Sequence, residues 1–147
     1  MLTFCVPGKP EGKRRPRFAG RRAYDPPENI AYARGIQFAF LDAAKGKWKK
    51  PEHVRVDITA CYVLPKSTTK KKKAYITERG IPPAVKPDAD NIAKAVLDAL
   101  NGLAYDDDKA VCALSVEKVY SDREQIIVSI SDYCETVNND MVTKENV

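Results

Sequence analysis

Residues 86–111 read KPDADNIAKAVLDALNGLAYDDDKAV, and this stretch decides how the chain folds. At about 100° per residue, Ile92, Ala93, Val96, Leu97, Ala99 and Leu100 cover one side of a helix. Asp90, Asn91, Lys94, Asp98 and Asn101 cover the other. The spacing predicts a helix from Asp90 to Leu100, stopped by Asn101-Gly102. Before it, Val54, Val56, Ile58, Ala60, Tyr62 and Leu64 alternate with Arg55, Asp57, Thr59, Cys61 and Val63, which predicts a half-buried strand. After it, Val111 to Tyr120 and Ile126 to Ile130 read as two more strands, the pair suggesting a hairpin. A helix between two such strands suits a crossover joining parallel neighbours.

Further out, Leu2 to Val6 alternates as a strand. Residues 7–27 hold five prolines and three glycines and are expected to be irregular. Glu28 to about Lys47 predicts a helix with Ile30, Ala33, Phe40, Leu41 and Ala44 inward, weakened by Gly35. Residues 65–87 read as a proline-bracketed loop centred on Lys70, Lys71, Lys72 and Lys73. Residues 132–147 are polar and without period, an expected flexible tail. The fold class is therefore α+β: a single domain over 1–131, with a mixed β-sheet of about four strands and two main helices.

Composition narrows the function. The 147 residues carry 25 Lys plus Arg against 20 Asp plus Glu, a net +5. Residues 1–24 hold seven basic side chains and one acid, so the remaining 123 carry −1. Between Lys86 and Asp108 six Asp face two Lys, a local −4. No apolar run is long enough for a membrane span. Residues 1–7 lack the features of a signal peptide, which implies a cytoplasmic protein. The four scattered cysteines then read as reduced core residues. Without a CxxC, and with His53 as the sole histidine, neither a structural zinc nor a histidine-based triad has support.

The acidic residues carry the chemistry. Asp88 and Asp90 stand at a helix start, where a carboxylate can accept free backbone N–H groups. Capping accounts for one of them, not both, and leaves Asp106-Asp107-Asp108 unexplained. Like charges this close raise one another's pKa unless a cation relieves them. Oxygen ligands without His or Cys select Mg²⁺ or Mn²⁺. An EF-hand fails because Val111 stands where its loop needs glycine. The triplet meets Asp88 and Asp90 only if the strand after it returns alongside the strand before. Lys94, one turn from both Asp90 and Asp98, fits a helix salt-bridge ladder or a cation held beside a phosphate.

These residues resemble a family. Lys86-Pro-Asp-Ala-Asp-Asn-Ile-Ala-Lys94, Leu97-Asp-Ala-Leu-Asn-Gly102, Tyr105-Asp-Asp-Asp108 and Val111 are similar to the signature of RusA-type Holliday-junction resolvases. Pro7-Gly-Lys-Pro10, Arg14-Arg-Pro-Arg-Phe18 and Tyr24-Asp-Pro-Pro27 extend the resemblance. It implies a RusA-like fold and a homodimeric, Mg²⁺-dependent endonuclease cutting four-way DNA junctions by paired incisions. By the same resemblance Asp88, Asp90 and Asp108 match the metal-binding aspartates and Lys94 the essential lysine. Asp107 matches the first member of the Asp pair. Ala110 departs from the family's usual Gln.

The basic residues complete the expectation. Lys9, Lys13, Arg14, Arg15 and Arg17 would contact phosphates, since flanking cations must draw a polyanion toward carboxylates. Lys70 to Lys73 form a second candidate patch. The contacts would favour backbone and shape over base sequence. Two rivals stand beside this reading: a non-catalytic protein binding branched DNA or RNA, and a phosphohydrolase acting on nucleotides.

Overall fold

A computed structural model describes residues 1–145. In chain order its elements are β1 (Leu2–Pro7), β2 (Arg17–Ala19), β3 (Arg22–Tyr24), α1 (Pro27–Ala44), β4 (Val54–Tyr62), α2 (Lys70–Arg79), α3 (Ala89–Leu100), a 3-10 turn (Asp108–Ala110), β5 (Val111–Tyr120), β6 (Gln125–Asp132) and α4 (Tyr133–Glu145). The main sheet runs β1-β6-β4-β5, with β4 and β5 parallel and both other pairs antiparallel. This is the expected α+β domain with a four-stranded mixed sheet, and α3 is the crossover between β4 and β5.

Alternation builds the core. Val54, Val56, Ile58 and Ala60 of β4, Ile126, Val128 and Ile130 of β6, and Phe4 and Val6 of β1 are all buried. They form one cluster with Ile36, Phe40 and Ala44 of α1 and Ile92, Val96 and Leu100 of α3. Phe40 meets Phe4 edge-on at 5.9 Å and Trp48 at 6.1 Å between ring centroids. Each large apolar side chain buried here contributes about 1.5–3 kcal/mol, which fixes α3 firmly to the sheet with its polar side outward.

Several expectations are corrected. β5 and β6 do not form a hairpin: β4 lies between them, and β6 is antiparallel to β4 and β1 alike. Residues 7–27 are not wholly irregular, since β2 and β3 pair as a short ribbon whose turn passes through Gly20 at φ 64°. Residues 65–87 contain a helix, α2, capped by Thr69, whose hydroxyl accepts from the Lys72 N–H at 3.2 Å. No α2 residue is buried, so no apolar period announced it. The polar, aperiodic segment 132–147, expected to be a flexible tail, holds helix α4 over Tyr133–Glu145, and its residues 146 and 147 lie outside the described residues. On α1, Ile30 and Leu41 face solvent while Ile36 takes the core position. Among the described residues no helix is long and apolar enough to cross a membrane.

Candidate active site

The start of α3 is fixed by the basic arm. Lys13 donates its backbone N–H to Asn91 O at 3.3 Å. A Cβ on Gly12 would lie 2.8 Å from Pro87 Cβ and 2.9 Å from Asn91 Cβ, so only glycine lets the arm approach this closely. The result is an open cleft of about 560 Å³ lined by Lys9, Lys13, Arg14, Lys86, Asp88 and Asn91 among others. Asp88 occupies the N-cap position of α3 in an extended conformation, yet its side chain makes no capping hydrogen bond. Asp90, in the first turn, and Lys94 are exposed. Neither Asp90–Lys94 nor Lys94–Asp98 forms an ion pair among the described residues. The salt-bridge ladder that the spacing allowed is therefore absent there. Asp98 pairs instead with Lys13 at 2.5 Å.

The Asp106-Asp107-Asp108 triplet is divided among three tasks. Asp106 meets Lys50 at 3.4 Å. Asp107 accepts the Asp108 N–H at 2.7 Å and so caps the 3-10 turn. Asp108 makes no such bond through its side chain, and its carboxyl is held above the usual range. Burial is the first cause, the negative charges of Asp98 and Asp107 follow, and Lys13 opposes them. Beneath the triplet Tyr105 is buried and donates its hydroxyl to Leu97 O at 2.6 Å. Burial pushes its pKa up, with Asp108 and Asp98 adding to the effect. Trp48 holds the same turn by donating to Ala104 O at 2.9 Å. Tyr105 entered the sequence reading only as part of a motif, and Trp48 and the Lys13–Asp98 pair did not enter it. Single residues in irregular segments carry no periodic signal.

Topology separates the carboxylates into two groups. Val85, just before α3, accepts from Lys118 near the end of β5, whereas Tyr105, just before β5, reaches back to Leu97 near the end of α3. Helix and strand thus run in opposite directions. Asp88 and Asp90 lie at one end, and Asp98, Asp107 and Asp108 at the other, about 15 Å along the helix axis from Asp88 to Asp98. β5 does return alongside β4, but it begins at the far end. Among the described residues no three His, Cys, Asp or Glu side chains gather as a metal-holding group. The donors suit a hard divalent cation by type, while the described residues of one chain do not bring a full set together.

The arm's cations are differently committed. Arg17 meets Glu28 at 2.9 Å and Arg14 meets Glu11 at 3.7 Å. Asn29 fastens the Arg14 backbone, accepting its N–H and donating to its carbonyl, both at 2.9 Å. Lys9, Arg15, Arg21 and Arg22 make no ion pair among the described residues. Lys70 to Lys73 form the exposed first turn of α2.

Comparison with known proteins follows the same residues. A family model described as Endodeoxyribonuclease RusA matches residues 7–131. A curated relative, "Uncharacterized protein YqaN" of Bacillus subtilis (strain 168), is 35% identical over 141 residues, covering 89% of this chain and 96% of its own. The matched family's nucleases act on branched DNA and depend on divalent metal. The match runs from the arm through both carboxylate groups to the end of the sheet, and the chain belongs to the RusA endodeoxyribonuclease family.

Proposed function

We propose that the protein is an Mg²⁺-dependent crossover junction endodeoxyribonuclease, a homodimer that resolves Holliday junctions by paired, symmetric phosphodiester hydrolysis in cytoplasmic recombination and repair. The observation that carries this reading is the first turn of α3. Asp88 stands where a capping aspartate would and does not cap, and Asp90 beside it has no cation partner among the described residues. Two carboxylates left free at one turn repel each other and suit a cation.

The proposed donors are Asp88, Asp90, Asp107 and Asp108. Because one chain holds them in two groups, a second copy is the natural source of the missing half. Paired cuts across a symmetric junction require two sites related by a two-fold axis. Two α3 helices lying antiparallel across that axis would set Asp88 and Asp90 of one chain beside the partner's Asp107 and Asp108. Those four carboxylates would hold a divalent ion, which would supply Lewis acidity at the scissile phosphate and lower the pKa of an attacking water. Lys94 lies on the same side of α3 as Asp90 and adds positive charge where the phosphate's charge develops. Lys9, Lys13, Arg14, Arg15 and Arg17, with Lys70 to Lys73, draw and hold the DNA backbone.

The test uses a labelled synthetic four-way junction with Mg²⁺. Symmetric nicks in opposing strands are expected. Asp90→Asn should bind the junction with wild-type affinity in the absence of metal and lose cleavage by about 10²-fold or more. A second reading, a non-catalytic protein binding branched DNA or RNA, is favoured by the separation of the carboxylates within one chain. Intact junction at enzyme excess, where binding is seen, would decide for it.

A further inference from the structure

Helix α1 presents three large apolar side chains to solvent: Phe38 is 73% exposed, Leu41 53% and Ile30 41%. Its own chain already holds α1 through Ile36, Phe40 and Ala44, so these three are surplus to the internal packing. Ile30, Arg34, Phe38 and Asp42 recur every fourth residue and form one row along the helix, with Leu41 in the same arc. Arg34 and Asp42 stand four residues either side of Phe38. Neither makes an ion pair among the described residues. Beside the row lie Ala31 and Gly35, both exposed. A Cβ on Gly35 would meet Val6 Cγ1 at 3.9 Å, an ordinary contact, so nothing inside the chain demands a glycine in this helix.

We propose that this face of α1 docks on the same face of a second copy, antiparallel about a two-fold axis at Phe38. A two-fold interface must complement itself, so a positive group on one side of the axis needs a negative group equally far on the other. Arg34 and Asp42 meet that condition. Rows spaced four residues apart are the ridges of the commonest helix packing. Laid antiparallel, the row brings Arg34 beside the partner's Asp42 and buries the two Phe38 rings at the centre. The low flank at Ala31 and Gly35 lets the backbones approach. The inference takes the two-fold pairing of the proposed function and gives it a surface, yet it stands on α1 alone.

Sedimentation equilibrium without DNA or metal tests it. The wild type is expected at twice the 16.4 kDa chain mass. Phe38→Glu and the milder Phe38→Ala should sediment as single chains or weaken dimerisation, with the circular dichroism spectrum unchanged because Phe38 lies outside the core. Arg34→Asp and Asp42→Arg should each weaken the dimer by about tenfold or more, and combining them should restore it. A single-chain wild type at 100 μM overturns the proposal, as does a Phe38→Glu dimer of undiminished affinity or a double variant no better than either parent. A dimer with these properties that cuts no junction would fail the nuclease reading alone.

Discussion

Arg17 reaches Glu28 in the first turn of α1, and that contact sets stability against binding. The Glu28 carboxyl lies below the usual range, first through a backbone hydrogen bond and then through Arg17. A lowered folded pKa contributes stability above the unfolded value, near 4.5, and that contribution is lost as the pH falls through the folded one. Glu28→Gln should therefore melt below the wild type at pH 7, with the gap closing in acid below pH 4.5. The same change frees Arg17, so DNA affinity should rise and the slope of log K against log salt steepen by about 0.9. Equal melting at pH 7 would remove the linkage. Tyr105 tests the other carboxylate group's support. Tyr105→Phe loses the bond to Leu97 O, and should cost about 1 kcal/mol in urea denaturation. Asp88 was legible as a helix-start residue from Pro87 and the following periodicity. That its side chain declines the capping bond was not, because spacing fixes where a residue stands and not what its oxygen accepts.

Helix α2 places Lys70, Lys71, Lys72 and Lys73 at its positive end, with no acid in the first turn. Cations there oppose the helix dipole by about 0.3–1 kcal/mol each, a cost that phosphate contact would offset. Lys70→Glu should raise the urea midpoint and weaken junction binding together, measured by denaturation and by fluorescence anisotropy. A variant that binds junction DNA as well as the wild type would remove α2 from the DNA surface. Gly12→Ala addresses the arm: the added methyl forces the chain off Pro87 and Asn91, and overpacking of this kind costs about 1–3 kcal/mol. The elements divide by how they are buried. α3 and β4 were readable because each sets an apolar side against the core at its own period. α2 has no buried residue, and β2 and β3 are three residues each and wholly exposed, so none of them leaves a pattern. The β5–β6 hairpin was misread because adjacency in sequence favours pairing, whereas α3 delivers β5 to the far side of β4.

Charge and symmetry meet at the scale of the whole molecule. The +6 of residues 1–24 is folded against the acidic crossover: Lys13 spans from Asn91 to Asp98, and Lys9, Arg14 and Lys86 line one cleft with Asp88. The fold thus brings the basic arm to the acidic segment, as a nuclease of a polyanion requires, while leaving the two carboxylate groups at opposite ends of α3. If each site draws one group from each chain, two inactive variants should rescue one another. In an Asp90→Asn homodimer both sites lack Asp90, and in an Asp108→Asn homodimer both lack Asp108. A mixed dimer puts both defects in one site and leaves the other whole. After unfolding and co-refolding in equal amounts, half of the dimers are mixed, each with one working site. Incision should return to about a quarter of the wild-type level, and it should appear as single nicks rather than paired cuts. A site contained within one chain gives no such recovery, because every chain in the mixture carries a defect. Junction cleavage that stays at the level of the parent variants after mixing would therefore sink the shared arrangement.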